Sequence, residues 1–148
     1  MNASTSAATD SSTATLSAQN PKRIAVVDDV AIIRAVFRSI AEDSPGMNLI
    51  WTASNLDEAR AGLGREIPDV LVMDVNLPDG DGFEFTTELL ESHPSLPVLI
   101  FSAHEGGSFV EKAVECGAKG FLGKNVPPQK VVEAIAILCS GGTFLDAY

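Results

Sequence analysis

The sequence predicts an α/β fold in which helices cover both faces of a parallel sheet, and two observations carry this prediction. Short apolar runs rich in β-branched residues alternate with stretches of helical periodicity, five times between residues 21 and 142. Strict alternation of this kind favours parallel strands joined by right-handed crossovers. The first, third and fourth apolar runs carry almost no polar residue, as expected of strands buried on both faces.

The first two strand–helix pairs occupy residues 23 to 65. Arg23–Val27 is a short apolar run that ends on two acids, and Val30–Glu42 has helical periodicity. Its apolar stripe contains Ile32, Ile33, Val36, Phe37 and Ile40. After a Pro-Gly turn, Met47–Ala53 is predicted as the second strand and Leu56–Arg65 as the second helix. An asparagine at the start of this helix, followed by acids in its first turn, favours a helix beginning there.

Three further strand–helix pairs complete the domain. Val70–Met73 is predicted as a buried strand that breaks into a Pro- and Gly-rich loop, and Phe83–Ser92 as the helix that follows. A His-Pro pair ends this helix before the fourth strand, Leu96–Phe101. The remaining elements are predicted at Ser108–Glu115, Lys119–Gly123 and Gln129–Leu138. Two prolines at the opening of the last helix fit its first turn.

The folded domain is expected to span residues 21–142, with a short segment on each side. Residues 1–20 are rich in Ser, Thr and Ala and contain no Lys, Arg or aromatic residue, which predicts a disordered tail. Residues 143–148 are interpreted as the C-terminal end of the domain or the start of a linker.

Composition narrows the class of protein. The net charge of −10 argues against nonspecific attraction to nucleic acid or to an anionic membrane surface. No apolar run reaches the roughly 18 residues of a membrane helix, and no secretory signal is visible. Cys116 and Cys139 lie far apart in helical patterns, so both are predicted to be buried free thiols. A cytoplasmic protein is expected.

Polar residues follow four of the predicted strands. Asp28 and Asp29 come after the first strand, Asp74 after the third, Ser102 after the fourth and Lys124 after the fifth. A flavodoxin-like, doubly wound five-stranded sheet of order 2-1-3-4-5 places its ligand site at the carboxyl ends of strands 1 and 3. The three acids are therefore expected to converge at that edge.

Three converging carboxylates require a cation. Without one they would repel one another and raise one another's pKa. Hard oxygen ligands without paired His or Cys favour Mg²⁺, which often bridges carboxylates and a phosphoryl group. Lys124 and Ser102 are suited to bind phosphoryl oxygens, and Asp74 could then attack phosphorus to form an aspartyl-phosphate.

These residues resemble the receiver domain of two-component response regulators. The matching segments are Val26–Asp29, Asp69–Pro78 with Asp81–Gly82, Ser102–Ala103 and Ala118–Lys124. Together they extend over residues 22–140, and their order and spacing are like those of the family. The Lys124–Asn125 junction and the ending Gly141–Leu145 are similar to receivers that precede a LuxR-type helix-turn-helix.

The resemblance implies a phosphoacceptor and a Mg²⁺ site. Asp74 would accept the phosphoryl group from a sensor histidine kinase or a histidine phosphotransfer protein. Asp28, Asp29 and Asp74, with the backbone carbonyl of Asn76, would hold Mg²⁺. The protein would then be a signalling phosphoprotein and not an enzyme, apart from slow self-dephosphorylation, and phosphorylation could produce a homodimer.

The resemblance also implies a switch. Ser102, Lys124 and the backbone of Ala103 would bind the phosphoryl group, and Phe121 would change rotamer when Ser102 moves. In the family the lysine is usually followed by a cis proline, whereas Asn125 follows here. His104 could overhang the pocket.

Three other functions stay open from the sequence. A Mg²⁺-dependent phosphohydrolase with an aspartyl nucleophile typically has a second acid two residues later, where this chain has Asn76. A nucleotide-binding module usually has a glycine-rich first turn, but the turn after the first strand is acidic and lacks glycine. A phosphorylation-independent interaction domain with the same pocket is the third.

Overall fold

A computed structural model describes residues 15–104 and 106–145, which form a six-stranded parallel sheet flanked by helices. The strands are β1 Lys22–Val27, β2 Met47–Ala53, β3 Val70–Met73, β4 Val98–Ser102, β5 Gly120–Gly123 and β6 Phe144–Leu145. The helices are α1 Ala31–Glu42, α2 Leu56–Arg65, α3 Gly82–Ser92, α4 Gly107–Glu115 and α5 Pro128–Cys139. The strand order is β2-β1-β3-β4-β5-β6, and every pair is parallel.

This architecture confirms the predicted doubly wound fold and the order of its first five strands, but the predicted strand number was wrong. After α5 the chain turns at Gly141, whose φ of 93° favours glycine, and the Gly142 N–H donates to the Ile137 carbonyl at 2.9 Å. The Phe144 N–H then donates to the Lys119 carbonyl at 2.9 Å, which adds β6 beside β5. A strand of two residues is too short to show the alternation from which strands are predicted.

The hydrophobic core has two layers, one on each face of the sheet. In β1, Ala25 and Val27 belong to the layer packed on α2, α3 and α4, whereas Ile24 and Val26 belong to the layer packed on α1 and α5. This alternation along one strand follows from the two-residue period of a β-strand. Both faces of the central strands are therefore covered, as their uniformly apolar sequences predicted.

The apolar stripe of α1 is narrower than its sequence suggested. Phe37 and Ile40 are buried, but the exposed fractions of Ile32 and Val36 are 66% and 40%. Positions 33, 37 and 40 share one side of a helix, and positions 32 and 36 lie roughly a quarter turn away. α1 therefore presents apolar side chains to solvent.

Several flanking features complete the described structure. Leu16 packs against the core layer formed with α1 and α5, and residues 1–14 of the predicted tail lie outside the described residues. Cys116 and Cys139 are free thiols, as predicted, although Cys139 is partly exposed. Within residues 15–104 and 106–145, no helix combines the length and hydrophobicity that crossing a bilayer requires. The limits predicted for the folded domain stay a prediction.

Candidate functional site

Four of the predicted site residues extend the sheet at its carboxyl edge. The Asp28 N–H donates to the Ala53 carbonyl and the Asp74 N–H to the Val27 carbonyl, both at 2.9 Å. The Lys124 N–H donates to the Ser102 carbonyl at 2.9 Å. Because their backbones continue the ladder of the parallel strands, these residues are held at fixed positions along one edge.

Lys124 connects the two buried acids. Its Nζ lies 2.8 Å from Asp28 Oδ2 and 3.3 Å from Asp74 Oδ2. The exposed fractions of the side chains are 15% for Lys124, 1% for Asp28 and 8% for Asp74. A single ammonium therefore serves two carboxylates in a pocket that is largely closed to water.

A third carboxylate completes a cluster that fits a cation. Oxygens of Asp28, Asp29 and Asp74 lie within 4.8 Å of one another, and Asp29 is exposed whereas the other two are buried. One oxygen of each buried acid accepts a backbone hydrogen bond, from Val30 at 2.9 Å and from Val75 at 2.8 Å. The second oxygen of Asp28 is buried and lies 2.8 Å from Lys124 Nζ, which is its ionic partner although no well-directed hydrogen bond reaches it within the described part of the chain. Three hard carboxylate ligands that share one lysine are suited to Mg²⁺.

The pKa values of Asp74 and Lys124 reflect the excess of carboxylates over lysine in the pocket. Burial, and then the charge of Asp28, raise the pKa of Asp74, although Lys124 and the Val75 N–H oppose the change. For Lys124, burial alone would lower the pKa, but the ion pairs with Asp28 and Asp74 outweigh it and the pKa is raised. Negative charge is thus in excess, and Lys124 stays charged.

Ser102 lies at the same edge, at the end of β4, and its exposed fraction is 1%. Its Oγ accepts a hydrogen bond from the His104 N–H at 2.9 Å, so the hydroxyl hydrogen is still available for another acceptor. The His104 ring stacks on Phe109 of α4, with ring centroids 5.2 Å apart. Phe121 does not line the pocket edge but is fully buried in the core layer next to α2, α3 and α4.

Comparison with known proteins identifies the family of this fold and pocket. Residues 24–136 match the family model for the response regulator receiver domain. The chain belongs to this family. The matched range contains all four acids and bases of the pocket, which are Asp28, Asp29, Asp74 and Lys124.

Individual relatives agree with this assignment. The receiver is 30% identical over 125 residues to the oxygen regulatory protein NreC of Staphylococcus carnosus, matching 84% of this chain and 58% of that protein. It therefore spans little more than half the length of this curated relative. A LuxR-family response regulator structure from Aurantimonas sp. has 34% identity and a TM-score of 0.79, and the match covers 84% of this chain and 89% of that one. The receiver domain of the putative response regulator NarL from Mycobacterium tuberculosis has 27% identity and a TM-score of 0.75, with coverages of 82% and 98%.

The path of the loop after Asp74 leaves no room for a side chain at position 82 of this receiver. A β-carbon on Gly82 would overlap the carbonyl oxygen of Asp74, and the Gly82 N–H donates to the Val75 carbonyl at 2.7 Å. Asp81 caps α3 by accepting from the Phe83 N–H at 2.7 Å. α3 therefore begins directly against the backbone of the candidate phosphoacceptor.

Asp79 is a residue in this loop that sequence reasoning missed. Its carboxylate accepts hydrogen bonds from the backbone N–H groups of Leu56 at 2.8 Å and Asp57 at 3.1 Å, at the start of α2. These bonds lower the pKa of Asp79. The loop is thus joined to α2, and no local pattern announces a contact across 23 residues of sequence.

Arg34 on α1 was also missed. Its guanidinium donates to the backbone carbonyl of Asp28 at 2.8 Å, so it contacts the acidic pair through the main chain. Asn76, predicted to offer its carbonyl, is exposed and pairs with Asp81 in a short antiparallel hairpin inside the loop. The Lys124–Asn125 peptide is trans. The roles predicted for the individual site residues stay predictions.

Proposed function

We propose that Asp74 of this receiver accepts a phosphoryl group from the phosphohistidine of a sensor kinase or a histidine phosphotransfer protein. A bond forms between phosphorus and an Asp74 carboxylate oxygen as the phosphorus–nitrogen bond to the donor histidine breaks. The observation that supports this role is the position of Asp74. It is a buried carboxylate at a strand end, 3.3 Å from Lys124 Nζ and next to two further acids.

Asp28, Asp29 and Asp74 would hold Mg²⁺, with the backbone carbonyl of Asn76 as a further ligand. The support is the set of three carboxylates within 4.8 Å, two of which share Lys124 as their cationic partner. When bound, Mg²⁺ would supply positive charge that offsets the repulsion between the carboxylates and the incoming phosphoryl oxygens.

Lys124 and Ser102 would bind the transferred group. Lys124 is charged and adjacent to Asp74, and the Ser102 hydroxyl has a hydrogen to donate. The backbone N–H of Ala103 would be a further donor. Phe121 would follow the movement of Ser102 by repacking, and its backbone is paired in register with Leu145 of β6. The altered surface would then bind a partner or a second copy of the receiver.

The protein would act as a cytoplasmic signalling switch and not as an enzyme that turns over a separate substrate. A phosphohydrolase needs a general acid or base beside the nucleophile, and the amide of Asn76 cannot transfer a proton in this role. Self-dephosphorylation by water would be slow for the same reason.

The test is transfer of radioactive phosphate from a small phosphodonor in the presence of Mg²⁺. We expect Asp74→Asn to abolish labelling. Asp69→Asn is the matched control, because Asp69 precedes the same strand that Asp74 follows, and its labelling should be unchanged. The label should be released by hydroxylamine, as expected of an acyl phosphate and not of a phosphoserine. Undiminished labelling of Asp74→Asn would remove Asp74 from the role.

A further inference from the structure

Arg34 contacts the backbone of the acidic pair Asp28–Asp29, and attraction between charges alone does not explain this contact. It lies in the first turn of α1 and is half-buried. Its NH1 donates to the backbone carbonyl of Asp28 at 2.8 Å. A cation next to a cluster of three acids would be expected to pair with a carboxylate, and this arginine binds a peptide oxygen at the base of the cluster instead.

The peptide group that Arg34 binds is the one that carries Asp29. A peptide unit is planar, so the carbonyl oxygen of Asp28 and the nitrogen and Cα of Asp29 move together. Fixing that oxygen fixes the rotation of the plane and the position of the Asp29 Cα, which narrows the directions in which the Asp29 side chain can leave the backbone.

Other contacts hold the Asp28 side chain directly, whereas Asp29 is held through the peptide groups on either side of it. The Asp28 N–H is bound to Ala53, and its carboxylate contacts the Val30 N–H and Lys124. Asp29 is exposed, so packing contributes little to its orientation. Of the three carboxylates in the cluster, Asp29 is thus the one whose position depends most on its backbone.

We propose that Arg34 is a positioning residue, which orients the Asp29 carboxylate toward the cation by holding the Asp28–Asp29 peptide. This inference rests on the proposed Mg²⁺ site and adds a residue to it. Arg34 itself does not ligate the metal.

The charge of Arg34 and its hydrogen bond have opposite effects on cation affinity, which makes the role measurable. A positive charge near the cluster repels a divalent cation, so loss of the charge alone would tighten binding. Loss of the hydrogen bond would let Asp29 turn away and would weaken binding. Glu58 on α2 offsets part of the positive charge of Arg34. Hydrogen bonds from Ser54 are the main cause of the lowered pKa of Glu58, and attraction to Arg34 lowers it further.

The first experiment measures Mg²⁺ affinity of the full chain by titration calorimetry. We expect Arg34→Ala to weaken binding about fivefold, because the lost positive charge offsets part of the value of a hydrogen bond from a charged donor, and Arg34→Lys to restore most of the loss. Arg38→Ala is the matched control, because Arg38 lies one turn further along α1 and donates to Thr52 Oγ1 at 3.2 Å. Its affinity should equal that of the wild type. Unchanged or tighter binding by Arg34→Ala would overturn the proposal.

The second experiment separates positioning from a general effect on the fold. In an Asp29→Asn background, Arg34→Ala should no longer weaken Mg²⁺ binding, because the ligand that Arg34 orients is already lost and only the loss of its positive charge, which favours the cation, is left. A repeated fivefold loss would show that Arg34 acts elsewhere and would overturn the proposal. Thermal unfolding in EDTA checks that both variants are folded.

Failure of the metal site itself would give a different result. If Asp28→Asn and Asp74→Asn bound Mg²⁺ as tightly as the wild type, the cluster would not be the cation site. If those two variants lost binding while Arg34→Ala kept it, the site would stand and the role of Arg34 alone would fall.

Discussion

The two ends of the sheet each contain acids paired with one basic residue, and they differ in how well the charges are satisfied. At the amino edge, Arg23 NH2 lies 3.2 Å from Asp69 Oδ1, with exposed fractions of 45% and 32%. At the carboxyl edge, Lys124 Nζ lies 2.8 Å from Asp28 and 3.3 Å from Asp74, in a pocket with little solvent access. Similar charges at similar distances therefore occur in unlike surroundings.

The hydrogen bonds of the acids show the consequence. Both oxygens of Asp69 have donors, since Oδ2 accepts from the Arg23 N–H at 2.8 Å and Nε at 3.3 Å, and Oδ1 accepts from NH2. Partial burial raises its pKa, but the bonds from Arg23 outweigh burial and the pKa is lowered. The pKa of Asp74 is instead raised, by burial and by Asp28.

This contrast separates a structural ion pair from a candidate binding site. The amino edge has a donor for each Asp69 oxygen, so its charges help to hold β1 beside β3. The carboxyl edge has three carboxylates for one lysine, within the ranges that the structure describes. Excess charge of this kind is stable only when an additional cation or a proton neutralises it.

The largest expected effect comes from removing Lys124. Lys124→Met leaves Asp28 and Asp74 buried without a cation, so in EDTA near pH 7 the free energy of unfolding should fall by about 3 kcal/mol. Mg²⁺ should restore part of this loss, because it binds the folded state and neutralises the same carboxylates. Urea denaturation with and without Mg²⁺ measures both changes.

Arg23→Met is the control for this prediction. Its side chain is exposed and its partner can be hydrated, so its effect in EDTA should be smaller, and Mg²⁺ should not alter it. Equal losses for the two variants would contradict the contrast between the edges.

An intermediate effect of opposite sign is expected at Asp74. A raised pKa means that the native state binds the proton more tightly than the unfolded chain, so wild-type stability falls as pH rises above the ordinary value of 3.8. Asp74→Asn removes this charge and should raise the free energy of unfolding in EDTA near pH 7, by less than the loss expected for Lys124→Met, because Lys124 keeps Asp28 as its partner. The gain should disappear below the ordinary pKa, where wild-type Asp74 is protonated. A loss of stability near neutral pH would contradict the excess of negative charge.

The strands, helices and site residues that could be predicted are those marked by a local pattern in the sequence. Each polar site residue directly follows an apolar run, so the parallel fold brought Asp28, Asp74 and Lys124 together as expected. β6 was missed because Phe144 and Leu145 pair with β5 through a turn and not through any periodicity of their own.

Contacts between distant segments and the backbone were also missed. Arg34 binds the Asp28 carbonyl and Asp79 binds the start of α2, and neither contact requires a particular residue type at its acceptor or donor. The exposure of Ile32 depends on the exact rotation of α1 over the sheet, which helical spacing constrains only to within a quarter turn.

The smallest effect is expected at Asp69 and has the reverse dependence on pH. Its lowered pKa means that the unfolded chain binds the proton more tightly, so its contribution is complete above the ordinary value of 3.8 and is lost as pH falls through the lower native value. Asp69→Asn should therefore reduce the free energy of unfolding by at most about 0.5 kcal/mol near neutral pH, since the pair is partly exposed.

Denaturation of Asp69→Asn, Asp74→Asn and the wild type across pH 3 to 7 in EDTA compares the two edges within one molecule. The Asp74→Asn curve should lie above the wild type near neutral pH and the Asp69→Asn curve below it, and both should approach the wild type in acid. Each variant exchanges one carboxylate for an amide, and the two positions lie at opposite ends of β3. Both variants change the net charge equally, so net charge cannot produce stability changes of opposite sign. Curves displaced in the same direction would mean that global charge, and not the local satisfaction of each acid, determines the effect.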